Sequence, residues 1–179
     1  MRRNGLYLGL ALLLSACGDV RSVSTHQSVA ASAEHALAFK AASETARTFT
    51  GDLAIEPDAL RFAKGAALAT RTLSSRAADQ LAARGGDSFA TIAVSSGDLQ
   101  VEVRAIVSQR LSQGAPSLCQ NDWMPSYAAL VYGQHDMRVT VILFSGVDEP
   151  GPNATHTRVC ATYAYTAPDG ARTRQGVLL

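Results

Sequence analysis

The stretch "LQVEVRAIV", residues 99–107, places Leu99, Val101, Val103, Ala105 and Val107 at every second position. Gln100, Glu102 and Arg104 stand between them. Side chains along a strand alternate between two faces, so this pattern predicts a half-buried β-strand with one apolar and one polar face. The same signal recurs on both sides. Upstream, "FATIAV" at 89–94 runs into Ser95-Ser96-Gly97-Asp98, a hairpin turn signal. Downstream, "YAALVY" at 127–132 and "MRVTVILF" at 137–144 flank Gly133-Gln134-His135-Asp136 and predict a second hairpin. "TRVCATYAYT" at 157–166, the turn Ala167-Pro168-Asp169-Gly170 and the tail to Leu179 predict a third. Parallel strands need long crossovers, and these connections are short, so the sheet is expected to be antiparallel.

Further upstream the pieces shorten. "LAI" at 53–55, "LRF" at 60–62 and "ALATRTL" at 67–73 are separated by Pro57 and by the Lys64-Gly65 turn, and predict short strands in hairpins. Ser74 and Ser75 are candidate N-caps of a short helix carrying Ala77, Ala78, Leu81 and Ala82. Arg84 would stand in its last turn and Gly85 would supply a left-handed cap. From Ser28 to Arg47 the chain is rich in alanine, with Val29, Ala33, Leu37, Ala41 and Glu44 at helical intervals; this reads as a helix or as a disordered stalk. The expected fold class is α+β: an antiparallel meander or small barrel over 48–179, with an Ala-rich helix at 28–47 and one short internal helix.

The first residues speak to location. Arg2 and Arg3 precede an uncharged segment from Gly5 to Leu14. It is too short for a membrane-spanning helix of ~20 residues, but it matches the apolar core of a secretory signal, about 7–15 residues long. Leu14-Ser15-Ala16-Cys17 follows, and it resembles the lipobox of bacterial lipoproteins. That resemblance covers only the N-terminal segment. It implies removal of residues 1–16, lipidation of Cys17, and a tether over 17–27. Several acyl chains together suffice for stable anchoring. An aspartate directly after the lipidated cysteine resembles an inner-membrane retention signal. Here Gly18 holds that position and Asp19 follows it, so the expected location is the outer membrane, facing the periplasm.

Loss of Arg2 and Arg3 leaves fourteen basic against fifteen acidic residues, a net charge near zero that provides no electrostatic footprint for nucleic acid. Two cysteines then remain, Cys119 and Cys160. In an oxidising envelope compartment such a pair most simply forms a disulfide. Neither lies in a C-x-x-C, and no histidine stands within three residues of either.

The chain carries no G-x-S-x-G elbow, S-x-x-K pair, H-E-x-x-H, P-loop or dinucleotide fingerprint, so neither catalysis, a cofactor nor a metal is expected. The histidines, His26, His35, His135 and His156, are scattered. A zinc site between His135 and His156 with Asp136, Asp148 or Glu149 is the weaker alternative to solvated loop residues. Two loops instead offer partner-binding candidates. Residues 145–156 form a connector stiffened by Pro150 and Pro152, with Asp148 and Glu149 as an acidic tip suited to a cationic surface. Trp123, the one tryptophan, sits in a loop beside Cys119, either as a binding residue or as cover for the disulfide.

A lipobox, a small β-fold and a disulfide together resemble the membrane-bound lysozyme inhibitors. The resemblance implies a non-catalytic module that binds an envelope protein or cell-wall partner, of inhibitor or immunity type. Those proteins insert a Ser-Gly-x-x-Tyr type loop into the enzyme. Here Ser145-Gly146 is followed by Val147-Asp148 and Ser96-Gly97 by Asp98-Leu99, with no tyrosine in place, so no inhibitory residue is carried over. The other expected class is a structural or accessory subunit of an envelope assembly.

Overall fold

A computed structural model describes residues 37–133 and 137–168, together with the pairs 173–174 and 177–178. Eight antiparallel strands close into a barrel in chain order. They are β1 (Leu37–Ala41), β2 (Leu53–Ile55), β3 (Ala59–Phe62), β4 (Ala66–Arg76), β5 (Leu99–Leu111), β6 (Tyr127–Gly133), β7 (Arg138–Gly146) and β8 (Thr157–Thr166). β8 returns to β1 through Lys40 opposite Thr166 and Ala41 opposite Tyr165. Closure leaves no open sheet at either end of the strand order, which removes the usual hazard of edge pairing.

The core lies inside the barrel. Phe39, Leu60, Leu68, Leu130, Leu143 and Tyr165 are among its fully buried side chains. A single π-helical turn, Ala46–Thr50, contributes buried Ala46 and Thr50. The Thr50 hydroxyl lies 2.7 Å from the Tyr165 phenol, so this buried oxygen is satisfied. Burial pushes the Tyr163 phenol up to about 12, and its hydroxyl donates to the Leu118 carbonyl at 2.6 Å.

A second apolar cluster lies on the outside. The 22-residue connector from β4 to β5 holds one short helix, α1 (Phe89–Ala93), which lays Phe89 and Ala93 over Val101, Val103, Ala129, Val131, Ile142 and Phe144. The Phe89 and Phe144 rings meet edge-on at 6.2 Å. Thus β5, β6 and β7 are covered on both faces where the connector crosses them. The alternation in residues 99–107 is the one expected, but the apolar face of β5 looks outward to α1. Its polar face, with Gln100, Glu102 and Arg104, stands on the barrel's inward side.

Four expectations are corrected. The helix expected over 28–47 does not hold for Leu37–Ala41, which pair with β2 as a strand; residues 28–36 lie outside the described residues. The helix expected after Ser74 and Ser75 is absent, because β4 runs on to Arg76 and Ala77–Asp87 are turns with one isolated bridge from Leu81 to Ser88. "FATIAV", expected as a strand, is α1. Ser88 caps it by accepting from the Thr91 amide at 3.2 Å, and Val94 ends it at φ +50°. That short apolar run had the composition of a strand; an outer face in need of cover decided otherwise. Finally, β8 pairs with β7 and β1, whereas the described tail residues pair with one another, Thr173–Arg174 with Val177–Leu178. The hairpin of β6 with β7 and the short strands β2 to β4 stand where expected.

Candidate functional site

Cys119 and Cys160 are joined as a disulfide, with their Cα atoms 5.1 Å apart. The bridge ties the loop between β5 and β6 to β8. Crosslinks closing a loop of this size are worth roughly 4 kcal/mol on the chain-entropy account. The Ser117 hydroxyl donates to the Cys119 carbonyl at 2.9 Å and Tyr163 holds Leu118, so the loop is fixed at three successive residues.

Immediately beyond, a 3₁₀ turn at Gln120–Asp122 presents Trp123. Trp123 is 37% exposed and so is not a core residue, with Met124 72% exposed beside it in the chain. Arg158 of β8 stacks on the indole, its Cζ 4.8 Å from the ring centroid. Such a pair contributes about 0.5–1 kcal/mol at an exposed site. Trp123 and Arg158 form an exposed ledge of an indole with one cation stacked on it. Trp123 was legible in the sequence. Arg158 was not, because only the register of β8 and the disulfide bring it across 35 residues.

The 147–156 loop is built differently from an acidic tip. The Asp148 carboxylate turns back on its own loop, accepting from the Thr155 amide (2.8 Å), the Thr155 hydroxyl (3.2 Å) and the His156 amide (2.8 Å). Those backbone donors hold its pKa below the usual carboxylate range. Glu149 folds against β4, where its Oε1 accepts from the Ser74 hydroxyl at 2.8 Å and pairs with the Arg76 guanidinium at 2.5 Å. The serine, then the arginine, lower its pKa. The Tyr127 hydroxyl donates to the Val147 carbonyl, and the Gly151 amide to Ala82, so the loop and the β4–β5 connector form one outer layer. Both carboxylates therefore have structural partners. Ser74 and Arg76 went unrecognised because the expected helix there hid the end of β4.

His156 lies in this loop, whereas His26, His35, His135 and Asp136 lie outside the described residues. Among the described residues no group of three or more His, Cys, Asp or Glu side chains is placed to hold a metal ion. Cys17 also lies outside them.

The open end of the barrel, at the far end of β6 from this ledge, carries a polar group. Arg104 is buried and donates to Glu102 through Nε (2.9 Å) and Nη2 (3.3 Å), and to the Glu56 carbonyl at 2.8 Å. The Thr72 hydroxyl donates to Glu102 at 2.6 Å. Burial, then the Glu102 charge, raises the pKa of the Tyr132 phenol, which stays protonated. Comparisons with protein-family models, with curated proteins and with solved structures return no match. The class defined by the geometry is an eight-stranded, closed antiparallel barrel with a disulfide-held loop.

Proposed function

We propose that this chain is a lipid-anchored module of the bacterial cell envelope, held in the outer membrane by Cys17 and facing the periplasm. It acts by binding another envelope protein, as an inhibitor or immunity-type module does, rather than by catalysis. The observation that carries this reading is exposed Trp123 with Arg158 stacked on its ring, fastened by the Cys119–Cys160 disulfide. Exposed tryptophan and arginine are the side chains most often dominant in protein interfaces, and a crosslinked loop loses little further entropy when it is covered. Acidic Asp148 and Glu149 enter this reading as the shape of the adjacent loop rather than as free charges.

The test uses the full chain in mild detergent as bait on envelope extract, beside Trp123→Ala and Arg158→Ala. The expected result is a partner retained by the parent chain and lost from both variants at unchanged melting temperature. A partner captured equally by all three moves the interface elsewhere. Recovery only as part of a large complex that ignores the ledge favours the accessory-subunit reading.

A further inference from the structure

We propose that the open end of the barrel is a binding site for a small, neutral, hydroxyl-rich molecule of the sugar class. A recess of about 430 Å³ opens there, walled by Thr72, Ser75, Arg76, Gln100, Glu102 and Tyr132, with Leu99 and Val101 between them. That size lies in the range of roughly 300–1,000 Å³ typical of small-molecule sites, for which barrel mouths are a recurrent location.

The wall results from a specific irregularity in β4. Thr72 stands opposite Arg104, but the next pair is Ser74 opposite Val103, so Leu73 is an extra residue. After this bulge Ser75 faces Glu102 on the inward side, while Ser74 and Arg76 turn outward to Glu149. Bulges re-aim side chains in this way and are frequent beside functional sites. In regular register Ser74 would take the inward position and both outward contacts to Glu149 would be lost.

Charge selects the ligand class. Both charges of the lining are paired, Glu102 with Arg104 from below and Arg76 with Glu149 from outside, so a cationic or an anionic ligand would have to compete with an existing ion pair. A neutral molecule that both donates and accepts meets neither obstacle. Thr72, Arg104 and Tyr132 all bond the Glu102 carboxylate and so fix its orientation at the mouth. The Gln100 amide and the Ser75 hydroxyl are exposed and supply both donors and acceptors, and the Tyr132 phenol, whose proton is shared with Glu102, supplies an acceptor. Planar carboxylate and amide groups side by side suit adjacent hydroxyls. A buried ion pair is seldom the most stabilising way to fill an interior, so its orientation of Glu102 toward the mouth has a use beyond stability.

The experiment is titration calorimetry on the full chain in a detergent without a sugar headgroup, with glucose and N-acetylglucosamine as probes and putrescine and citrate as charged controls. Gln100→Ala and Ser75→Ala alter exposed side chains at the rim and leave the Glu102–Arg104 pair intact; an unchanged melting temperature verifies the fold. The expected result is saturable binding of at least one sugar, weakened about tenfold or more in each variant and unchanged in Trp123→Ala. The proposal is overturned by no saturable sugar binding, by sugar binding insensitive to both rim variants, or by uptake of putrescine or citrate in place of the sugars.

Discussion

Gly146 ends β7 at φ +123°, and a Cβ built there would stand 1.9 Å from the His156 carbonyl oxygen. The Val147 amide donates to that same carbonyl, so the two chains cannot separate without losing the loop's closing bond. Only glycine meets both conditions. Gly146→Ala is therefore expected to cost roughly 3 kcal/mol or more, among the larger effects of single substitutions; denaturant unfolding measures it. Glu149 makes a second prediction at this scale. Its folded pKa is lowered by Ser74 and Arg76. A depressed carboxylate stabilises the fold fully above its unfolded value, about 4.3, and that contribution is lost as pH falls through the folded value. With the side chain about a third exposed, solvent screening limits the effect of Glu149→Gln to about 1 kcal/mol at neutral pH. Melting curves should show parent and variant converging as pH drops from 5 toward 3; a constant gap would mean that the ion pair contributes nothing.

At the scale of elements, α1 is five residues long, too short to be stable by propensity alone. It exists because the outer faces of β5, β6 and β7 are apolar and need cover. Phe89, fully buried against Phe144, is its anchor. Phe89→Ala should cost about 3–5 kcal/mol, as large-to-small core changes do. It should also raise amide exchange across Ala77–Val94 before the barrel strands, because the connector is a separate layer. Simultaneous exchange of connector and barrel would show one cooperative unit instead. Strand alternation revealed β5 and β6 but not which face looks inward. Period two is symmetric under exchange of faces, and in β5 polar residues inside and apolar residues outside reverse the ordinary assignment. The turn signals at Pro57 and Lys64-Gly65 were local chemistry and could be read directly. The bulge at Leu73 has no local signal, since it exists only relative to the pairing of β4 with β5.

For the whole molecule, the nineteen residues between Cys17 and Leu37 could span at most roughly 65 Å if fully extended, enough for the barrel to stand clear of a membrane surface. Among the described residues no helix is long and apolar enough to cross a membrane. Cys17→Ser is expected to release the protein from the membrane fraction and to abolish the mass increment of the acyl groups. Fractionation with intact-mass analysis measures both. A variant still membrane-bound at the parent's mass would remove the lipoprotein reading while leaving the barrel-mouth and ledge experiments unaffected.

Local and short-range information determined the antiparallel strands β2 to β8, the turns between β2, β3 and β4 and between β6 and β7, and the pairing of the two late cysteines, because periodicity, turn residues and thiol count act over a few residues or need no geometry. The tertiary structure decided the rest. It closed eight strands into a barrel by joining β8 to β1. It converted 89–93 from strand to helix in an outer layer, and set Arg158 on Trp123. It turned Glu149 from an acidic tip into a clamp on β4, and directed Glu102 and Arg104 inward. Each of these depends on residues far apart in the chain meeting at one place. Register and burial choose among conformations that local sequence leaves nearly equal in free energy.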